Sequence, residues 1–340
     1  MTVDHAVALS LFSDLPRVGL TERLRADDPE LIELAEPLLA EAAALRRQAE
    51  ERGITVLPWF DARFPALLAA ITDGPAALWV QGDLSTLDQP AVAIVGSRAA
   101  SSVALETATR LAADLASRGI IVVSGLARGV DSAAHRGALE TGRTIAVLGS
   151  GLDCIYPAEH TSLVGEIAQR GAVITEYAPR TAPLPHHFPM RNRLISGLAR
   201  AVVVIEASEK SGSLITAMCA LEQGRDVMAV PGNVLSGRNR GGHALIRDGA
   251  KIVECVDDIV EDFGLGMVSK ATPESGSSAC QVETSSDPVL RRMEPGQPYD
   301  LDALACQSGL DIGRLLPRLM ELELAGFIRR AEGGRFVRSA

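Results

Sequence analysis

Residues 91–100 read AVAIVGSRAA, an apolar run of β-formers that breaks into Gly-Ser-Arg and then into alanines. A strand that turns on glycine into a helix start is how a phosphate-binding loop is written, because glycine lets backbone approach an anion and the first helix amides point at it. The dinucleotide fingerprint G-x-G-x-x-G is absent, and no Walker A sequence occurs. The turn announces an anion without naming it.

Five further runs share the pattern: GIIVVSG (119–125), TIAVLG (144–149), GAVITE (171–176), AVVVIE (201–206) and DVMAVPG (226–232), separated by Ala-rich amphipathic stretches. Continuous apolar strands alternating with helices predict a doubly covered parallel sheet, an extended Rossmann-like α/β domain over 81–264. Before it, LIELAEPLLAEAAALRRQAEERG and PALLAAITDG carry Leu and Ala at helical spacing, so 1–80 reads as a small helical unit. Polar, Ser-rich 265–289 reads as a linker. The segment 290–340 has the outline of a winged helix, two helices and then a hairpin with Gly-Gly at its tip.

Ligands of open parallel sheets bind beyond the C-terminal strand ends. There the chain places Gly96-Ser97-Arg98, then Ser124 and Gly125 with Arg128 and Gly129, then Glu206 with Lys210-Ser211-Gly212-Ser213, and Pro231-Gly232-Asn233. One Gly-Ser turn is often only a tight connection with a serine cap. Four on one edge, with Arg98, Arg128 and Lys210 beside the glycines, make a row of anion sites. Arg191-Asn192-Arg193 after a Pro-rich loop adds cations at what reads as a helix start, where positive charge opposes the macrodipole.

Reactive groups are scarce. The six histidines form no H-x-x-x-H pair and read as structural, with His186-His187 as an exposed loop pair. Asp131 and Ser132 fit helix caps, while Glu176 and Glu206 end strands with no partner legible. No catalytic residue, metal site or cofactor is called for. The five cysteines (154, 219, 255, 280, 306) are scattered without C-x-x-C, as in reduced cytosolic proteins. No apolar run is long enough for a membrane span, and the acidic start lacks the basic n-region of a secretory signal, so a cytoplasmic location is expected. The net charge of −10 is unevenly spread. Residues 1–80 hold seven basic and thirteen acidic side chains, whereas 178–251 hold ten and five. A locally positive segment still attracts a polyanion, since fields are screened beyond roughly 8–10 Å.

The blocks IVGSRAAS, VSGLARGVDSAAHRGALETGRTIAVLGSGLDCIYP, FPMRNRLISGLARAVVVIEASEKSGSLITAMCALEQGRDVMAVPGN and ALIRDGAKIV, in this order over about 91–258, resemble the DNA-processing protein A (DprA/Smf) family. LPRVGLTERL is similar to an eroded helix-hairpin-helix of the family's N-terminal, SAM-like unit. The resemblance implies a non-catalytic, homodimeric protein that binds single-stranded DNA and brings the RecA recombinase onto incoming DNA during natural transformation. It implies phosphate contacts from Gly96, Ser97, Arg98, Ser124, Gly125, Arg128, Gly129, Arg191, Asn192, Arg193, Lys210, Ser211, Gly212 and Ser213. Gly242-His243 depart from the Thr-Asn usual in the family. Several basic turns along one edge suit a chain of phosphates, and with Phe188 the nearest aromatic, binding is expected to be salt-sensitive and nearly sequence-blind.

In the winged helix, Arg314, Arg318, Arg329, Arg330, Arg335 and Arg338 stand against seven acids over 291–340, which favours protein contact or self-regulation over sequence-specific duplex reading. Two rival readings are a ligand-sensing transcription factor, which would prefer a palindromic duplex, and a nucleotide-monophosphate phosphoribohydrolase of the Lonely Guy type. The latter carries P-G-G-x-G-T-x-x-E, where this chain has PGNVLSGRNRGGH.

Overall fold

The computed structural model describes residues 1–12, 17, 19–261, 289–294, 296–308, 310, 312–324, 327–331 and 335–338. They fall into two compact units, Met1–Ser269 and Lys270–Ala340. The larger opens with α1 (Val3–Ser10), α2 (Leu20–Arg25), α3 (Pro29–Ala35) and α4 (Leu39–Glu50). It continues with β1 (Ile54–Pro58), α5 (Ala66–Ala69), β2 (Ala77–Gly82), β3 (Ala91–Gly96), α6 (Ser102–Ser117), β4 (Ile121–Ser124), α7 (Val130–Thr141) and β5 (Thr144–Val147). Then come α8 (Thr161–Arg170), β6 (Ala172–Thr175), α9 (His187–Leu198), β7 (Ala201–Ile205), α10 (Ser213–Glu222), β8 (Asp226–Ala229), α11 (Arg240–Arg247), β9 (Lys251–Ile252) and α12 (Val256–Val260).

The strands form one sheet in the order β1-β2-β6-β5-β4-β3-β7-β8-β9, parallel from β6 through β9. The six apolar runs are thus its parallel centre. Alternate residues face opposite layers: Ala93 and Val95 join a core with Leu194, Ile195 and Leu198 of α9, while Val92 and Ile94 join one with Ala108, Leu111 and Leu115 of α6 and Ala134 and Ala138 of α7. The α6–α7 contact is so close that a Cβ at Gly137 would overlap the Thr109 carbonyl oxygen. Topology reverses between β3 and β7, because β4 is laid on one side of β3 and β7 on the other. That is the switch point at which a crevice opens.

The first eighty residues are not wholly helical, as the sequence reading had them. β1 and β2 pair antiparallel, and β2 pairs antiparallel with β6, extending the sheet beyond its parallel part. Alternation in ITVLP and ALWVQG is masked because both faces are covered. Trp79 is fully buried together with Leu9, Leu24 and Leu31 of the N-terminal helices. The helix-hairpin-helix resemblance falls partly, and the linker almost wholly, outside the described residues.

In the second unit, β10 (Pro298–Tyr299), α13 (Leu301–Ser308), α14 (Ile312–Leu324), β11 (Ile328–Ala331) and β12 (Arg335–Arg338) surround Leu304, Leu315, Leu319, Ile328 and Phe336. The strands lie antiparallel in the order β10-β12-β11. This is the winged-helix arrangement expected, with an added first strand. The Gly-Gly tip and the Arg314 side chain lie outside the description. Among the described residues no helix is long and apolar enough to cross a membrane.

Candidate nucleic-acid interface

The quoted turn is held from both sides of the switch point. Ser97 N–H donates to the Glu206 carbonyl at 2.9 Å, and Val130 N–H donates to the Ser97 carbonyl at 3.2 Å. Gly96 is required because a Cβ there would overlap the Ile205 carbonyl and the Val130 side chain. Gly129, at φ +77°, lies where a Cβ would strike the Ser97 carbonyl. Glu206 itself adopts φ +49°, uncommon for a residue with a side chain. Its carboxylate accepts from Ser101 N at 2.9 Å and Ser101 Oγ at 2.5 Å, while Ser101 caps α6. The loop is closed on itself, which leaves Arg98 exposed at its tip.

Beyond it lies a cleft of about 430 Å³. Gly96, Ser97 and Arg98 form one wall, Arg191 and Asn192 of α9 lie along it, and Lys210, Ser211, Gly212 and Ser213 before α10 form another. Asn192 Nδ2 donates to the Gly212 carbonyl at 3.3 Å, and the Ser211 and Ser213 hydroxyls are 2.7 Å apart. Among the described residues Arg98 and Lys210 make no ion pair, and both are exposed. The Arg98 guanidinium lies 5.8 Å from the Phe188 ring centre.

An adjoining hollow is lined by Arg98, Gly125, Arg128, Tyr156, Phe188 and Arg191. Tyr156, 46% exposed, has its ring 5.4 Å from that of Phe188, so a second aromatic surface joins the one legible in sequence. Arg128 is engaged by both oxygens of Glu159, at 2.6 and 2.8 Å. Arg191 is buried, 3% exposed, and donates to the carbonyls of Gly125 (2.7 Å) and Val147, with its Nε unpartnered. Burial pushes its pKa down to about 10, against the pull of nearby Asp131. Gly125 is needed here too, since a Cβ would come within 2.6 Å of the Arg191 guanidinium. Asp131 accepts from the amides of Gly125 (3.2 Å) and Ala127 (3.3 Å), so it organises the loop and does not cap α7. Burial pushes its pKa up, against Arg191.

Three expected phosphate contacts are differently employed. Ser124 is fully buried, with its hydroxyl donating to the Ile94 carbonyl at 2.6 Å. Gly129 serves backbone shape. Arg193 points away from the cleft: α9 starts at His187, so Arg191-Asn192-Arg193 occupy its second turn, and helical spacing sends neighbours to different sides. Arg193 meets Glu176 at 2.7 and 3.0 Å and Asp73 at 3.2 Å, while Arg17 meets Glu176 at 3.0 Å. Burial alone would raise the Glu176 pKa, but Arg193 and Arg17 hold it below the usual carboxylate value. Arg193, Glu176 and Arg17 line a separate hollow of about 120 Å³. His187 is no exposed loop residue either: it is buried and stacked on Tyr177 at 4.1 Å.

Sequence reasoning missed Asn239. This buried side chain accepts from Ala207 N–H and donates to the Val230 carbonyl, both at 2.9 Å, linking the loops after β7 and β8. A Cβ at Gly242 would overlap its amide oxygen, which accounts for glycine at that departure from the family pattern.

The cleft thus offers amides, hydroxyls and two unneutralised cations, with Asp131, the carboxylate of its lining, committed to loop hydrogen bonds. Comparison with known proteins agrees in kind. Residues 55–264 match the model of the DNA recombination-mediator protein A family, and 273–334 that of the DprA winged helix domain. The chain is 41% identical to protein Smf of Escherichia coli over 276 residues, 80% of this chain and 74% of that protein. It is 45% identical to DNA processing protein DprA of Streptococcus pneumoniae over 201 residues, 59% and 71% of the two chains. The solved structure of the Streptococcus pneumoniae protein superposes with a TM-score of 0.66 at 35% identity, covering 77% of this chain and 98% of that one. A structure reported for the single-stranded DNA binding mode of DNA processing protein A from Helicobacter pylori gives 0.55 at 31% identity, covering 58% and 92%.

Proposed function

Because the chain belongs to the DNA-processing protein A (DprA/Smf) family, we propose that its sheet-edge cleft holds single-stranded DNA by the sugar–phosphate backbone. The observation that carries this is the pair of unneutralised cations, Arg98 and Lys210, on facing walls of amides and hydroxyls at the switch point. Ser97, Asn192, Ser211, Gly212 and Ser213 contribute polar groups, Arg128 a cation shared with Glu159, and Tyr156 and Phe188 surfaces for a base. Such stacking is worth about 1–3 kcal/mol per base and is indifferent to sequence. The Helicobacter pylori relative supports the choice of ligand.

On the same reading the protein works in the cytoplasm as a homodimer that protects incoming DNA and passes it to RecA during natural transformation. Ile215, Met218 and Leu221, 41–56% exposed at helical spacing on α10, offer an apolar face for a second copy or the recombinase. Base release from nucleotide monophosphates is not favoured, since Glu206 and Asp131 are both bound by loop groups.

Fluorescence anisotropy with single- and double-stranded oligonucleotides at rising salt tests the binding. Expected are preference for single strands of any sequence and an affinity that falls linearly in log–log with salt, by about 0.7 per phosphate neutralised. In Arg98→Ala/Lys210→Ala that slope drops by about 1.4. Equal binding of duplex, or an unchanged slope in the double variant, refutes the reading. Sedimentation and a RecA filament assay on protein-coated strands test the dimer and the hand-over.

A further inference from the structure

Apart from the turn Pro231-Gly232-Asn233 and Asn239, the loop 231–240 has no part in the site described above. Asn233 Oδ1 accepts from Leu235 N–H at 2.8 Å, Ser236 Oγ donates to the Asn233 carbonyl at 2.9 Å, and Arg238 N–H donates to Ser236 Oγ at 3.3 Å. Gly237 takes φ +66°. Its base is fixed by buried Asn239 and by Gly241 N–H, which donates to the Ala207 carbonyl at 2.8 Å. The loop is therefore an ordered turn, whose exposed part carries Val234 (75% exposed) and Leu235 (92%).

Its location follows from one bond. Arg238 Nη1 donates to the carbonyl of Ala99 at 3.0 Å, and Ala99 is the cleft residue next to Arg98. Arg240 starts α11 beside the loop that carries Lys210, for Gly241 lies against the Ala207 and Ser208 carbonyls. Among the described residues neither Arg238 nor Arg240 makes an ion pair, and both are exposed. Two neighbouring aliphatic side chains held almost wholly in water gain nothing from the fold, and cations flank them along the cleft rim.

Resting on the strand-binding reading, we propose that this loop is a second contact segment for the same single-stranded DNA. Arg238 and Arg240 take phosphates beyond those in the cleft, and Val234 and Leu235 pack against the base between. The arrangement continues the polar row of the cleft with matching charge and adds apolar area where an unpaired base, unlike a duplex, presents an open face.

The test is oligonucleotide length. Oligothymidines of about 6 and about 20 nucleotides, one near the short end and one beyond the long end of the roughly 4–16 nucleotides that a single-strand-binding fold covers, are titrated against the full chain, Arg238→Ala/Arg240→Ala and Val234→Ser/Leu235→Ser. Expected for the arginine variant are about tenfold weaker binding of the long oligonucleotide, a salt slope smaller by about 1.4, and unchanged binding of the short one. The serine variant loses affinity for the long oligonucleotide at an unchanged slope. Equal losses on both lengths, or none on either, overturn the proposal alone, because the unaltered protein still binds. Failure of the unaltered protein to bind any oligothymidine overturns the strand-binding reading and the extension with it.

Discussion

Two hollows share helix α9 and use arginine in opposite ways. On one side Arg193 is buried with Glu176 and Asp73, and Arg17 completes a neutralised cluster. On the other, Arg98 and Lys210 stand in solvent, and among the described residues neither forms an ion pair, although Asp131 also lines their cleft. Burial without a partner costs several kcal/mol per ion, so the first set must be paired. Exposure removes that demand, and the second set keeps its charge for a ligand. Arginine content alone therefore does not mark an anion site; a cation left without an ion-pair partner does.

The contrast is broken most forcefully from the buried side. Arg193→Ala leaves buried Glu176 with Arg17 alone, and a loss of about 2–3 kcal/mol in unfolding free energy is expected by urea denaturation, with DNA affinity per folded molecule unchanged. Arg98→Ala should do the reverse: stability within about 0.5 kcal/mol of the parent, and single-strand affinity reduced about tenfold at low salt, equivalent to about 1.4 kcal/mol. If Arg193→Ala weakened DNA binding in the folded protein, or Arg98→Ala unfolded it, the division would fail.

Acid probes the buried side again. His135 is fully buried, and its Nδ1 lies 2.7 Å from Thr144 Oγ1. That hydroxyl donates to the Val122 carbonyl, so the imidazole must be the donor to it. Burial pushes the His135 pKa down to about 3, with His160 and Arg191 adding to the effect. A depressed pKa means that the unfolded chain binds the proton first. The contribution is complete above pH 6.5, the ordinary value, and is lost as pH falls towards 3. The urea midpoint should decline across that window by the equivalent of about 1.4 kcal/mol per pH unit, and His135→Asn should flatten the decline. The smallest expected effect sharpens the exposed side. Glu159→Gln releases Arg128 from an open surface pair worth about 0.2–1 kcal/mol, and single-strand affinity should rise about two- to threefold.

The parallel sheet was legible because six continuous apolar runs each ended in glycine or an acid, and Gly96, Arg98 and Lys210 could be placed on its edge from that alone. β1 and β2 were not, since helices cover one face and the sheet core the other, which erases alternation around Trp79. Arg193 was misplaced because closeness in sequence to Arg191 says nothing of the roughly 200° that two helical residues turn through. Asn239 and Tyr156 act through loops far apart in the chain, and no local spacing announces them. Ser124 carried the right residue type in the right turn, yet its hydroxyl serves the neighbouring strand.

The antiparallel pair β1–β2 also governs how the chain tolerates shortening. A fragment that begins at residue 81, where a reader of the sequence would cut, keeps every cleft residue but strips β6 of its neighbour. It leaves Val173 and Ile174 on an unguarded sheet margin, and Val173 without the Trp79 side chain that shares its core. Unpaired strand margins recruit other chains. Such a fragment is expected to collect as insoluble aggregates, with the cleft intact in sequence and out of reach in solution, whereas a cut before residue 54 keeps β6 paired and bares only the Trp79 face that Leu9, Leu24 and Leu31 cover.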